Sequence, residues 1–231
     1  MSFMTLHQAC LRRVDAALSR NALFIRRGTY HLGWPEAADT AVESAGPGYR
    51  EPMAERLVSE RLVLRPWAGD DAAAALGAYG DAEVARWLAP MMDRVGDEAA
   101  MRVVLQQWMA EDVRLPVPAG RWAIELREGG SVIGGATLLP LLPDDEYEIG
   151  WQLQRDAWGH GYATEAGRAL AMWAFEQGLE QVVAVVRPAN SRAAATVRRI
   201  GMEWIGETEK YHNLRLQEYR LRPADLPASA R

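Results

Sequence analysis

Five consecutive apolar residues, Val182 to Val186 (VVAVV), constrain the fold of this chain more than any other segment. A short β-branched run without alternation reads as a strand buried on both faces, and therefore as an inner strand of a larger sheet. The segments before it supply neighbours. Within 121 to 127 (RWAIELR), Trp122, Ile124 and Leu126 share one face; Gly129-Gly130 offers a hairpin turn, and 131 to 139 returns. From Glu146 to Leu153, residues Tyr147, Ile149, Trp151 and Leu153 lie on one face and Glu146, Glu148, Gly150 and Gln152 on the other.

Helical periods flank these strands. Ala166, Ala169, Leu170, Trp173 and Ala174 recur at i, i+3, i+4 and i+7, predicting a helix that ends at Gly178. Asn190 or Ser191 caps a further helix through Ile200, with Gly201 in the terminating position, and strands near 203 to 207 and 214 to 222 close the chain. Upstream, RLVLR at 61 to 65 is strand-like, and Asp70 and Asp71 are placed to cap an Ala-rich helix through Tyr79. Two more helices are expected at 81 to 88 and from Asp97 to about Val113, with Pro116 and Pro118 closing that stretch. No internal repeat is present.

A chain of 231 residues with 49% hydrophobic content builds one substantial core with material left over. The expected organisation is an N-terminal extension and linker at 1 to 52, a domain at 53 to 224 and a tail at 225 to 231. Residues 3 to 25 carry apolar groups at helical spacing between arginines, compatible with an accessory helix, a targeting segment or a start codon assigned too early. Residues 34 to 52 mix Pro, Gly, Ala and acids without period and read as a linker. A formal charge of -5 argues against a general nucleic-acid binder. Cys10 is the only cysteine and the four histidines are scattered, so neither an internal disulfide nor a dedicated metal site is expected. No apolar run is long enough to span a bilayer, and a soluble cytoplasmic protein is the expectation.

Residues 158 to 166 (WGHGYATEA) place two glycines between a strand and a helix. Such a turn offers free backbone N–H groups and the positive end of a helix dipole to an anion, although a Gly-x-Gly loop also serves as a plain tight connection. Neither a P-loop nor a dinucleotide fingerprint fits the neighbouring sequence. The succession of elements, together with RLVLRPW, EIGWQL, WGHGYATEA and RPANSRAAATVRRIGM in that order, resembles the GNAT acyltransferase family, and within it the RimJ/RimL-type N-acetyltransferases. The resemblance runs from about Leu57 to Leu221.

That resemblance implies an α/β (α+β) GNAT fold: a mixed, mostly antiparallel sheet flanked by helices, with a V-shaped opening between its fourth and fifth strands. It implies acetyl-CoA as co-substrate without a metal, an amine acceptor, and a homodimer as one candidate assembly. Trp158, Gly159, His160, Gly161, Tyr162, Ala163 and Thr164 would hold the CoA pyrophosphate. Trp151, Gln152 and Leu153 would pair their backbone with the pantetheine arm, and Gly150 would mark a bulge opening the slot. Asn190 would lie near the pantetheine, or act only as a helix cap. Glu148 is the candidate base, with Glu146 second; ordinary surface acids are the alternative. The family's tyrosine and serine after Asn190 are replaced here by Val197 and Ala193, leaving Ser191 as a shifted substitute and Tyr211, His212 and Tyr219 as speculative acids. Arg192, Arg198 and Arg199 are candidates for the CoA 3'-phosphate, and Trp87, Trp108 and Trp122 for an acceptor pocket. Asp144, Asp145, Glu146 and Glu148 would make that pocket acidic. The expected reaction is acetyl transfer to a primary amine by direct attack in a ternary complex; the alternative is a catalytically idle acyl-CoA-binding sensor.

Overall fold

The computed structural model describes residues 55–144 and 146–226. The expected N-terminal helix and linker, Asp145 and the last residues of the tail lie outside the described residues. Eight strands form one mixed sheet in the spatial order β1-β2-β3-β4-β5-β6-β8-β7. They are β1 Leu57–Val58, β2 Leu62–Pro66, β3 Gly120–Leu126, β4 Val132–Leu141, β5 Glu146–Leu153, β6 Val182–Val186, β7 Glu203–Thr208 and β8 Leu216–Leu221. The helices are α1 Ala72–Tyr79, α2 Ala82–Leu88, α3 Glu98–Asp112, α4 Tyr162–Glu176 and α5 Ser191–Ile200. Within the described residues every expected element forms, and β1 is added at one edge.

The alternation in the sequence sorts two hydrophobic layers. Trp122 and Ile124 point into a core with Leu138, Ile149 and Val182, closed by Ala166, Leu170 and Ala174 of α4 and Val197 and Ile200 of α5. Ala123, between them in sequence, joins the opposite layer with Trp67, Tyr79, Met101 and Leu105. The VVAVV strand is covered on both sides as its composition requires: Val182, Ala184 and Val186 face the first core, and Val183 packs with Leu141, Tyr211 and Leu216.

Two local expectations change. Asp71 does not cap α1 with its side chain; its carboxylate takes a two-pronged contact from Arg65 at 2.7 and 2.8 Å and accepts from the Ala68 N–H at 2.8 Å. A buried carboxylate with a guanidinium in reach is better satisfied by that fork than by a single cap bond. β4 runs past its expected end at 139, through Pro140 to Leu141. Because the register of β3 with β4 stops at Gly120 and Leu138, Pro140 lies where only β5 flanks the strand, and its missing N–H breaks no ladder there.

Glycines in β4 let the layers close. A Cβ on Gly134 would collide with the Gln152 carbonyl oxygen and lie 2.9 Å from Leu153 Cα. Since the obstacle is backbone, it yields only by moving β5. Gly134→Ala is therefore expected to destabilise the protein by about 2 kcal/mol, the range of overpacking substitutions, which a denaturant midpoint measures.

Candidate active site

β5 is paired with β4 along its whole length, but its parallel pairing with β6 is limited to Glu148 with Val183. The two strands part beyond that point. Toward β4 the register of β5 is continuous and Gly150 pairs with Thr137, with no bulge on that side. That glycine has a packing reason instead: a Cβ there would lie 2.7 Å from Thr137 Oγ1. The opening arises from where parallel pairing stops.

Glu148 stands at the vertex. Its carboxylate accepts from the backbone N–H of Val185, a donor on β6 just past the last paired residue. Burial pushes its carboxyl up to about 7, outweighing that hydrogen bond, which acts in the opposite sense. A carboxyl in that range exchanges protons near neutral pH, as a general base must.

Glu146, on the same face one step earlier, is held differently. Its carboxylate accepts from Gln181 Nε2 at 2.9 Å and from the Tyr211 hydroxyl at 3.3 Å. The Tyr211 hydroxyl also reaches Asp144 at 3.3 Å, and Asp144 pairs with Lys210 at 3.0 Å. Burial, then the charges of Glu218, Glu146 and Asp144, raise the Tyr211 pKa above its ordinary value, so its proton is held firmly. Of the other speculative acids, Tyr219 is buried and donates to Gln217 at 3.1 Å, and His212 stands half-buried in a turn at φ 59.

The glycine turn follows β5. Gly159 and Gly161 have φ of 82 and 83, conformations that favour glycine. Nothing lies within 4 Å of a Cβ placed on Gly159, and no side chain caps α4, which starts behind Gly161. The first N–H groups of α4, on Tyr162, Ala163 and Thr164, thus open a cradle with a positive dipole end. Trp158 fixes one side: its indole N–H donates to the Leu153 carbonyl at 2.9 Å, so that carbonyl already serves the loop. Arg192 lies 4.4 Å from the Trp158 ring centre. His160 is exposed and stacks on Tyr162 at 5.5 Å.

The opposite side of the turn was not legible in its sequence. Arg61 donates to the His160 carbonyl at 2.9 Å, lies 4.8 Å from the Tyr162 ring centre and chelates Glu165 through its backbone N–H and Nε, both at 2.7 Å. Ser59 adds a hydroxyl to Glu165 at 2.8 Å. Glu165 belongs to the quoted motif, but its partners sit about a hundred residues earlier on the β1–β2 connection, where no local pattern marks them.

Other candidates separate. Trp151 packs against the core and Gln152 accepts from the Tyr79 hydroxyl at 3.0 Å on the opposite face. Asn190 caps α5 by accepting from the Ala193 N–H at 3.1 Å, while Ser191 beside it is exposed. Arg198 and Arg199 sit in the last turn of α5, the far end from Asn190 and Arg192. Trp122 is fully buried, Trp108 packs with Trp67 and Tyr79, and Trp87 lies under the Arg86 guanidinium, 4.2 Å from its ring centre. Among the described residues no group of three or more His, Cys, Asp or Glu side chains is arranged to hold a metal ion, and no helix is long and apolar enough to cross a membrane.

A split mixed sheet with an uncapped helix start at the mouth of the split defines an acyltransferase of the GNAT fold. The acetyltransferase (GNAT) domain family matches residues 61–203, more than half of the 231-residue chain, and the chain belongs to that family. It is 28% identical over 159 residues to the uncharacterized N-acetyltransferase p20 from Bacillus licheniformis, covering 68% of this chain and 87% of that protein. An acetyltransferase structure from Agrobacterium tumefaciens str. C58 superimposes with a TM-score of 0.60 at 29% identity, covering 77% of this chain and 99% of the other. A structure of Mycobacterium smegmatis RimJ in complex with CoA-disulfide shares the fold at a TM-score of 0.61 and 22% identity, covering 73% and 85%.

The raised Glu148 carboxyl has a consequence for stability. It binds a proton more tightly folded than unfolded, so folding takes up a proton between its ordinary pKa of 4.5 and about 7. Its contribution is therefore lost as pH rises through that window. Glu148→Gln removes this dependence: denaturation midpoints compared at the two ends of the window are expected to fall less with rising pH in the variant than in the parent protein.

Proposed function

We propose that this acyltransferase moves the acetyl group of acetyl-CoA to a primary amine, on a peptide N-terminus or a small molecule, in the manner of the RimJ/RimL-type enzymes. The observation that carries the reading is Glu148, largely buried at the point where β5 and β6 part, with its carboxyl raised to about 7. The acceptor amine must lose a proton to attack, and an α-amine of pKa about 8 is better matched to this base than a lysine side chain of about 10.

In this reading the turn from Trp158 to Thr164 receives the CoA pyrophosphate through backbone N–H groups, without side-chain interference at Gly159 and Gly161. The edge of β5 that β6 leaves unpaired beyond Glu148, along Trp151 and Gln152, lies alongside the pantetheine, with Leu153 contributing less because its carbonyl serves Trp158. Asn190 closes the other wall from the start of α5, and Arg192 is the one arginine of that helix near the turn. That a protein of the same fold, Mycobacterium smegmatis RimJ, forms a complex with CoA-disulfide supports a CoA compound as the ligand.

Within the ternary complex, the amine nitrogen attacks the thioester carbonyl carbon. Its proton passes to the Glu148 carboxylate, directly or through water, as the C–N bond forms. Collapse of the tetrahedral adduct breaks the C–S bond, and CoA leaves as a thiolate, whose pKa of about 8.5 lets it depart and take its proton from solvent. Glu146, tied to Gln181 and Tyr211, is second to Glu148 in this role. Ser191 retains the position of a shifted acid at the α5 N-terminus.

Thiol release from acetyl-CoA against a panel of amines tests the reading: turnover dependent on both substrates supports it, and tight CoA binding without turnover on any amine favours an acyl-CoA-binding sensor. Glu148→Gln is expected to lower the rate by about 100-fold, the lower range for removal of a general base, with CoA affinity retained and the rise in rate through about pH 7 abolished. Gly161→Val forces a β-branched residue to φ 83 at the turn. Its expected effect is a rise in CoA Kd of about tenfold or more, from the strain of that backbone region; unchanged affinity removes the turn from the cofactor site.

A further inference from the structure

A glutamate in the first turn of α4 presents a difficulty for a diphosphate bound at the same turn. Glu165 favours the helix dipole, but its negative charge opposes any anion seated on the Tyr162, Ala163 and Thr164 N–H groups. The His160 carbonyl oxygen, between the two glycines, would add a second unfavourable dipole if it faced the anion. Arg61 engages both. Its Nη1 donates to the His160 carbonyl at 2.9 Å, its Nη2 pairs with Glu165 Oε2 at 2.7 Å, and its backbone N–H and Nε hold the two oxygens of the same carboxylate. Ser59 supplies a further donor to Glu165 at 2.8 Å. Nη2 also comes within 3.4 Å of the Cβ position of Gly161, so the guanidinium lies against the turn itself.

Exposure distinguishes the two partners. The Glu165 side chain is 14% exposed and that of Arg61 45%. The carboxylate is enclosed by its donors while the cation keeps a free side toward solvent, the arrangement in which the pair presents no net negative charge at the turn. Although partial burial opposes ionisation, the Arg61 N–H, the Ser59 hydroxyl and the Arg61 guanidinium hold the Glu165 carboxyl below its ordinary pKa, so it stays charged and its charge needs cancelling.

We propose that Arg61 is a positioning residue for the CoA pyrophosphate: by chelating Glu165 and the His160 carbonyl, it removes from the glycine turn the negative charge and the acceptor oxygen that would repel the anion. The inference rests on the reading of the turn as the CoA site, yet its failure is separable from failure of that reading.

CoA binding to the full chain is measured by calorimetry for the parent protein, Arg61→Met, Glu165→Gln and the Arg61→Met/Glu165→Gln double variant, at low and high salt. Arg61→Met is expected to raise Kd about tenfold, as one unpaired carboxylate about 10 Å from an anion does at an effective dielectric of about 20. The difference shrinks with added salt, because screening weakens the repulsion. Adding Glu165→Gln to Arg61→Met restores affinity to within about threefold of the parent, since the uncancelled charge is gone. A purely structural role gives no such rescue and no such salt dependence, and either result overturns the proposal. Should Arg61→Met fail to fold, Glu165→Gln alone decides: CoA affinity equal to or above that of the parent supports charge cancellation, and weaker binding overturns it. A parent protein that does not bind CoA overturns the reading of the turn itself.

Discussion

A parallel strand pair that stops after one residue pair leaves backbone donors and acceptors on both inner edges without their usual partners. Here the pair is Glu148 with Val183, and the rest of the site depends on it. Glu148 answers part of the deficit by accepting the Val185 N–H. The same position buries its carboxyl and raises its pKa, so the defect in the sheet and the candidate base have one origin. Beyond the vertex, β5 keeps its full register with β4 and therefore remains straight enough to offer an ordered edge.

Around that opening the charges are arranged in two layers. On the side of Glu146, carboxylates are tied down by Gln181, Tyr211 and Lys210, which fixes their geometry and holds the Tyr211 proton. On the side of the glycine turn, the only nearby acid in the helix, Glu165, is matched by Arg61. The Glu146 side of the sheet thus keeps acidic groups, while the acid at the helix start is matched by a cation. This division suits a reaction joining a polyanionic donor to an amine that arrives as a cation.

Much of this architecture was legible in the sequence, for identifiable reasons. VVAVV, the alternation over 121 to 127 and 146 to 153, and the apolar stripe of α4 each reflect a burial pattern set by backbone period, which tertiary contacts did not override. Asn190 at the start of α5 was readable because a helix cap is a local interaction. Interactions spanning the sheet were not. Asp71 reads locally as a cap because its strand partner Arg65 is invisible to a local pattern. A glycine crowded by a neighbouring strand, as Gly150 is by Thr137, looks identical in sequence to one required by φ. The opening itself is legible only through resemblance, since no residue type announces where parallel pairing ends.

The central claim is that the split between β5 and β6, together with the turn behind it, receives CoA. Amide hydrogen exchange of the full chain, with and without saturating CoA, tests it most directly because it reads backbone groups and not side-chain chemistry. The account predicts slowed exchange concentrated at residues 159–164 and along β5 from Trp151 to Leu153. Protection that leaves those segments unchanged and falls elsewhere on the chain would contradict it.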